Sequence, residues 1–292
     1  AMDAEETIVK KARSAKEENK LINIYLTRAE RIETEADAEE RFYKLAEARA
    51  ARYEETELSR KTEAGSPEEE GLVLFCDIEE SFGDFLSRNG RAGEGIEKYN
   101  RGLAAAIRLA SNGSYRGYMR AARLHYALAK RYIESGEYDS ADASLKAAAG
   151  FIYDKKAVGE ESARIFEGEG LKYLHARADL KSKLGYIEEA KRLYEAAIEI
   201  VARVDALSEA RMKDEGLKYT DILDSSYLKQ KGLLYLGAAE HLARHTEDKK
   251  GIAKNKRLAR AAFALGARVA TDGAQREEFR DMVFDLDHPK GE

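Results

Sequence analysis

A chain of 292 residues with 36% charged residues, two prolines and no tryptophan does not suit an all-β fold, whose many turns draw on Gly and Pro. The lone Cys76 excludes a disulfide scaffold, and no stretch approaches the ~18 consecutive apolar residues of a membrane helix. Net charge is −5, with 13 basic and 19 acidic residues in the first 70, and no segment has the positive density of a nucleic-acid footprint.

A mostly helical chain remains. Residues 3–20 are charged throughout and lack an apolar signal core, so a cytoplasmic location is expected. Scarce Gln and Cys beside abundant Glu, Lys and Arg lean toward a prokaryotic source. Leu21, Ile24, Tyr25 and Ile32 mark one apolar helical face, and Phe42, Leu45 and Ala46 mark a second after Ala36. The stretch 61–68 is a break. Within it Ser66-Pro67-Glu68-Glu69 reads as an N-cap, a first-turn proline and a capping-box glutamate, so a helix starts at about 67. Further breaks are expected at Asn89-Gly90, at 111–114, at Ser135-Gly136, at Leu184-Gly185 and over 246–256. Short connections between segments of about twenty residues make successive helices antiparallel neighbours.

Three segments align on a turn glycine, at Gly90, Gly136 and Gly185. Before the turn come Phe82, Gly83 and Leu86 in the first, and Leu128, Ala129 and Tyr132 in the second. After it come Ala92, Gly95, Tyr99 and Gly102; then Tyr138, Ala141, Leu145 and Ala148; then Ile187, Ala190, Tyr194 and Ala197. Small residues let two helix backbones approach, and a large residue four positions on fills the space beside them. This order resembles the tetratricopeptide repeat, best in residues 125–149 and 184–200, with weaker units at 18–50 and 226–270. The turn glycines lie 46 and 49 residues apart, so the helices are longer than that family's usual ones.

The resemblance implies an all-α, right-handed superhelix of antiparallel helix hairpins, an α-solenoid of about eleven to thirteen helices. It implies one elongated domain over 1–292, with an N-terminal pair or cap at 2–62, the best units at 67–205, and divergent pairs with a capping helix at 206–287. It also implies a non-catalytic scaffold or adaptor that holds a peptide or protein segment on its concave face. The expected contacts are Asp77, Glu80 and Asp84 in the first unit, then Arg116, Arg120, Arg123, Tyr126 and Lys130, then Lys172 and His175. Such a groove runs from acidic to basic to mixed, and suits a peptide with oppositely charged ends. No cofactor, metal or membrane insertion is expected; a homo-oligomer is left open.

Other chemistry is thinly represented. His241 and His245 share a helix face, but Leu242 stands where a hydrolytic zinc motif has its glutamate, so surface histidines are expected. His125 falls on a packing position and Cys76 in an apolar run, VLFC. The cluster Lys249, Lys250, Lys254, Lys256, Arg257 and Arg260 lacks interleaved aromatics and reads as a solvated loop and helix start. A sensor or enzyme with a small-molecule pocket, and weak nucleic-acid binding through basic helix faces, are the alternative functions. The segment 274–287 has Phe279, Met282, Val283 and Leu286 on one side, which is expected to dock back on the array.

Overall fold

The computed structural model describes residues 15–31, 36–56, 66–153, 160–216 and 225–288. Among these the structure is helices and turns, with no strand. The helices are α1 (Ala15–Arg31), α2 (Ala36–Thr56), α3 (Pro67–Arg88), α4 (Ala92–Ser111), α5 (Tyr115–Ser135), α6 (Tyr138–Tyr153), α7 (Glu160–Lys183), α8 (Ile187–Glu215), α9 (Ser225–His245), α10 (Lys249–Val269) and α11 (Gly273–Asp287). Two compact units result, residues 1–158 and 159–292, and the boundary falls inside the stretch 67–205. Ile32, and residues 61–65 of the first break, lie outside the described residues.

In the first unit each helix packs on the next, and the odd helices also pack on one another, α1 on α3 and α3 on α5. The second unit repeats the rule: α7 packs on α8, α8 on α9, α9 on α10 and α10 on α11, while α7 also packs on α9. No backbone packing of similar closeness joins even helices to each other among the described residues.

Sequence signals set the helix ends. The Ser66 hydroxyl accepts a hydrogen bond from the Glu69 amide at 3.1 Å, within the first turn that Pro67 opens in α3. Ser114 caps α5 in the same way, accepting from the Gly117 amide at 3.3 Å, and its hydroxyl also donates to the Glu69 carboxylate. The N-termini of two odd helices are thereby tied together. At the turns Gly90, Gly136 and Gly185 have φ of 77°, 80° and 80°. These are left-handed values that an L side chain disfavours, and they let the chain reverse within a few residues. The last expected break is shorter than its sequence suggests. Asp248 accepts from the Gly251 amide at 2.9 Å and starts α10 at Lys249, so the basic cluster 249–260 is helical throughout.

Close approach occurs where the alternation of small and large residues predicts it. A Cβ on Gly95 would stand 2.7 Å from the Gly83 carbonyl oxygen, and one on Gly83 would stand 2.6 Å from the Tyr99 ring. Tyr99, Leu145 and Tyr194 are buried beside the buried small residues Gly95, Ala141 and Ala190. The first position of each expected set of four behaves differently. Tyr138 is 43% and Ile187 39% exposed, and Ala92 is exposed as well. Each second helix enters from its turn about one helical turn before it meets its partner, which leaves that residue beyond the contact. Ile24 and Leu45 are also more exposed than their periodicity implies, whereas Tyr43, next to Phe42, is buried against Phe82 and Phe85. The helix α11 docks on α10 through Phe279, buried beside Phe263, while Phe284 stays 60% exposed.

Gly93 and Gly95 offer a paired test, since a Cβ on Gly93 meets nothing within 4 Å. Gly93→Ala should raise the melting temperature, by the ~0.5–1 kcal/mol that alanine gains over glycine in a helix. Gly95→Ala should lower it, because beside the Ser87 hydroxyl it meets the Gly83 carbonyl oxygen, which is backbone and cannot rotate away. Thermal unfolding followed by circular dichroism reads both.

Candidate functional site

The expected contact residues of α3 and α5 face one another. Arg120 makes a forked pair with Asp77, at 2.7 Å from Nε and 2.9 Å from Nη2. Arg123 reaches Glu80 at 3.1 Å. Asp84 accepts a 2.6 Å hydrogen bond from the Tyr99 hydroxyl and lies 4.0 Å from Arg131. The expected acidic and basic stretches of a groove are therefore opposite sides of one seam between odd helices. Burial is the main cause that lifts the Glu80 carboxyl above its ordinary range, and Arg123 opposes it. Lys130 is exposed, with its ammonium 5.9 Å from the centre of the half-buried Tyr126 ring. Arg116 and Lys172 are half-buried.

His175, on α7, is also half-buried and faces the next odd helix. A Cβ on Gly237 of α9 would stand 2.6 Å from its Nε2 and 3.0 Å from the Tyr194 hydroxyl. Burial lowers the His175 pKa. His241 corrects the sequence expectation: it is 3% exposed rather than a surface residue. Its Nδ1 lies 2.9 Å from the Ser182 hydroxyl of α7, and its ring packs 5.5 Å from Tyr194 and 5.0 Å from His245. The missed signal was Ser182, whose partner lies 59 residues away and has no local spacing to reveal it. Burial first, and then the neighbouring His245, hold the His241 pKa low. His125 stacks on Phe151 at 5.7 Å, and burial lowers its pKa too. Cys76 is buried as expected, donates to the Gly102 carbonyl at 3.4 Å, and has its thiol pKa driven upward by burial. That environment disfavours a thiolate nucleophile.

A second cluster had no motif to announce it. Glu79 of α3 is fully buried, and both its carboxylate oxygens lack a hydrogen-bond partner. Glu47 of α2 stands beside it and receives Lys98 at 2.6 Å and Arg101. Arg101 is 3.3 Å from Glu79, and its guanidinium lies 5.5 Å from the centre of the Phe75 ring. Burial, reinforced by the charge of Glu47, pushes the Glu79 carboxyl from the ordinary 4.5 up to about 8. Burial also works to raise Glu47, but its hydrogen bond to Lys98 and the Lys98 and Arg101 charges outweigh it and hold Glu47 low. The cluster thus keeps one carboxylate charged and the other protonated.

No group of three His, Cys, Asp or Glu side chains gathers for a metal ion among the described residues. No described helix is long and apolar enough to cross a membrane. The chain matches no protein-family model, and no curated protein sequence matches it.

The raised Glu79 pKa makes stability depend on pH with a fixed sign. Between about 4.5 and 8 the folded state holds a proton on Glu79 that the unfolded chain releases, so stability falls as pH rises across that window. Glu79→Gln keeps the shape and removes the proton. The melting temperature of Glu79→Gln minus that of the natural chain should grow steadily from about pH 5 to about pH 8. A flat difference across that range would mean that Glu79 is ionised in the fold.

Proposed function

We propose that the chain is a non-catalytic, tetratricopeptide-like scaffold whose stacked odd helices present a binding face for a peptide or protein segment. The observation that carries this reading is the packing rule shared by the two units. Within each unit each helix packs on the next, and among the described residues the close packing beyond neighbours is between odd helices. Hairpins stacked in that way line one side of an array with their first helices, and solenoids commonly bind along that side. The turn glycines and the close approach of Gly95 to Gly83 support the repeat register.

On this reading the contact set is narrower than the full list of expected residues. Asp77, Glu80, Arg120 and Arg123 are engaged in the α3–α5 seam, so they hold the array together before they meet any partner. Tyr126 and Lys130 of α5 are the better anchors. Tyr126 brings a half-buried aromatic face with few rotatable bonds, and Lys130 an exposed cation beside it. Together they suit a segment with an acidic side chain next to an apolar one.

A displayed random-peptide library selected on the full chain tests this. Enriched peptides should carry that acidic-apolar pair, and should lose binding to the double variant Tyr126→Ala, Lys130→Glu, whose helicity by circular dichroism checks that the fold is kept. Enriched peptides that bind the variant as tightly would place the site elsewhere. Arg120→Glu serves as a structural control and should lower the melting temperature, because it sets a carboxylate against Asp77.

A further inference from the structure

Because α10 starts at Lys249, the basic cluster lies on one continuous helix rather than on a loop. That helix carries seven basic residues and no acidic one. At ~100° per residue its cations span an arc of about 160°, from Lys256 at one edge to Lys254 at the other. Lys249, Lys250, Arg257 and Arg268 lie between these edges, and all six are exposed. Of the seven, Arg260 is the one that is paired among the described residues, with Asp287 at 2.8 Å. The opposite face, Ala259, Ala262, Phe263 and Gly266, is buried. The nearest acids in the chain, Glu247 and Asp248, precede the helix, and Asp248 is turned to the Gly251 amide.

Such a face is unfavourable for the helix on its own. Elsewhere exposed cations find an acid one turn away, as Lys44 does at Glu40, Lys183 at Asp179 and Arg244 at Glu240. On α10 the residue one turn from Lys250 is Lys254, and from Lys256 it is Arg260, so like charges repel. Lys249 and Lys250 also stand at the positive end of the helix dipole. A polyanion laid on this face relieves both. We propose that it binds the phosphate backbone of double-stranded DNA, without regard to base sequence. The face belongs to an even helix, so the inference does not rest on the peptide-binding reading of the odd helices. The helix is ~31 Å long, and the ~12 Å major groove of B-form DNA admits an α-helix. Cations on both flanks of the arc then reach phosphates of both strands. Ala253, Ala261 and Ala264, exposed among the cations, keep the inserted edge narrow. A flat anionic membrane would meet only the crown of such an arc. Double-stranded RNA has a major groove too deep and narrow for the helix. Single strands are held by stacking on aromatic side chains, and α10 exposes none.

The test is fluorescence anisotropy of a labelled, mixed-sequence 20-base-pair DNA duplex titrated with the full chain. Saturable binding is expected at 50 mM salt. With about six phosphates neutralised, the logarithm of the binding constant should fall against that of salt with a slope of about −5, roughly a thousandfold loss by 200 mM. The double variant Lys254→Glu, Arg257→Glu should weaken binding tenfold or more and flatten the slope by about two. Lys191→Glu, Arg192→Glu, exposed on α8, changes net charge equally and should leave binding within about twofold. Both variants alter exposed side chains, and far-ultraviolet circular dichroism checks that each keeps its helices. The proposal is overturned by absence of saturable binding at 50 mM salt, by a slope near zero, or by equal losses in the two double variants. It is also overturned if single-stranded DNA or an RNA duplex of the same length binds more tightly. Displacement of the DNA duplex by anionic phosphatidylserine vesicles at equal phosphate concentration would overturn it too, in favour of a membrane surface.

Discussion

The contact between Gly95 and the Gly83 carbonyl sets the spacing on which the first unit depends. With no side chain at either position, α3 and α4 lie close enough for Tyr99 to fold over Gly83 and bury its ring, while its hydroxyl reaches Asp84. A wider gap would leave that ring in a void and strand its hydroxyl away from the carboxylate. The second unit uses the same device where Gly237 admits His175 and Tyr194. Close packing of this sort tolerates little change in volume, since interiors are packed as densely as organic crystals.

Two kinds of seam follow. Consecutive helices meet largely through small residues, leucines and aromatics. Odd helices also meet through polar side chains: Asn19 with the Pro67 carbonyl, Asp77 with Arg120, Ser182 with His241, and Lys229 with Glu278. Polar pairs contribute little net stability but penalise misalignment, because a sliding helix would separate these partners. The apolar seams therefore supply most of the cohesion, and the polar seams fix the register. The cluster of Glu47, Glu79, Lys98 and Arg101 adds a third device, a charged link from α2 to α4 that stands against a protonated carboxyl.

The local features were legible in the sequence. The Ser66 cap, the glycine turns, and the burial of Gly95, Ala141 and Ala190 all follow from spacing within a few residues, where periodicity and capping chemistry act. What escaped was whatever depends on a distant partner. Asp77 and Arg120 looked like two halves of a ligand groove because nothing in the chain says that α3 and α5 meet. Glu79 looked like one more acid on a charged helix, yet α2 and α4 enclose it. His241 looked solvent-facing because Ser182 and Tyr194, which cover it, lie on other helices. The error at Tyr138 and Ile187 is of another kind: the pattern gave the correct face but not where along the helix its contact begins.

The tight glycine turns also bear on how the chain reaches this state. Gly90 and Gly136 join α3 to α4 and α5 to α6 across gaps of a few residues, so the largest contact surfaces form between sequence neighbours. Closing so small a loop costs little chain entropy, and low-contact-order helical proteins fold in roughly microseconds to milliseconds. The links between odd helices close loops of forty residues or more and must wait for the hairpins. Assembly should thus be hierarchical, with hairpins collapsing first and the polar seams locking last. The same order in reverse makes those seams the first to open under stress, before any hairpin comes apart.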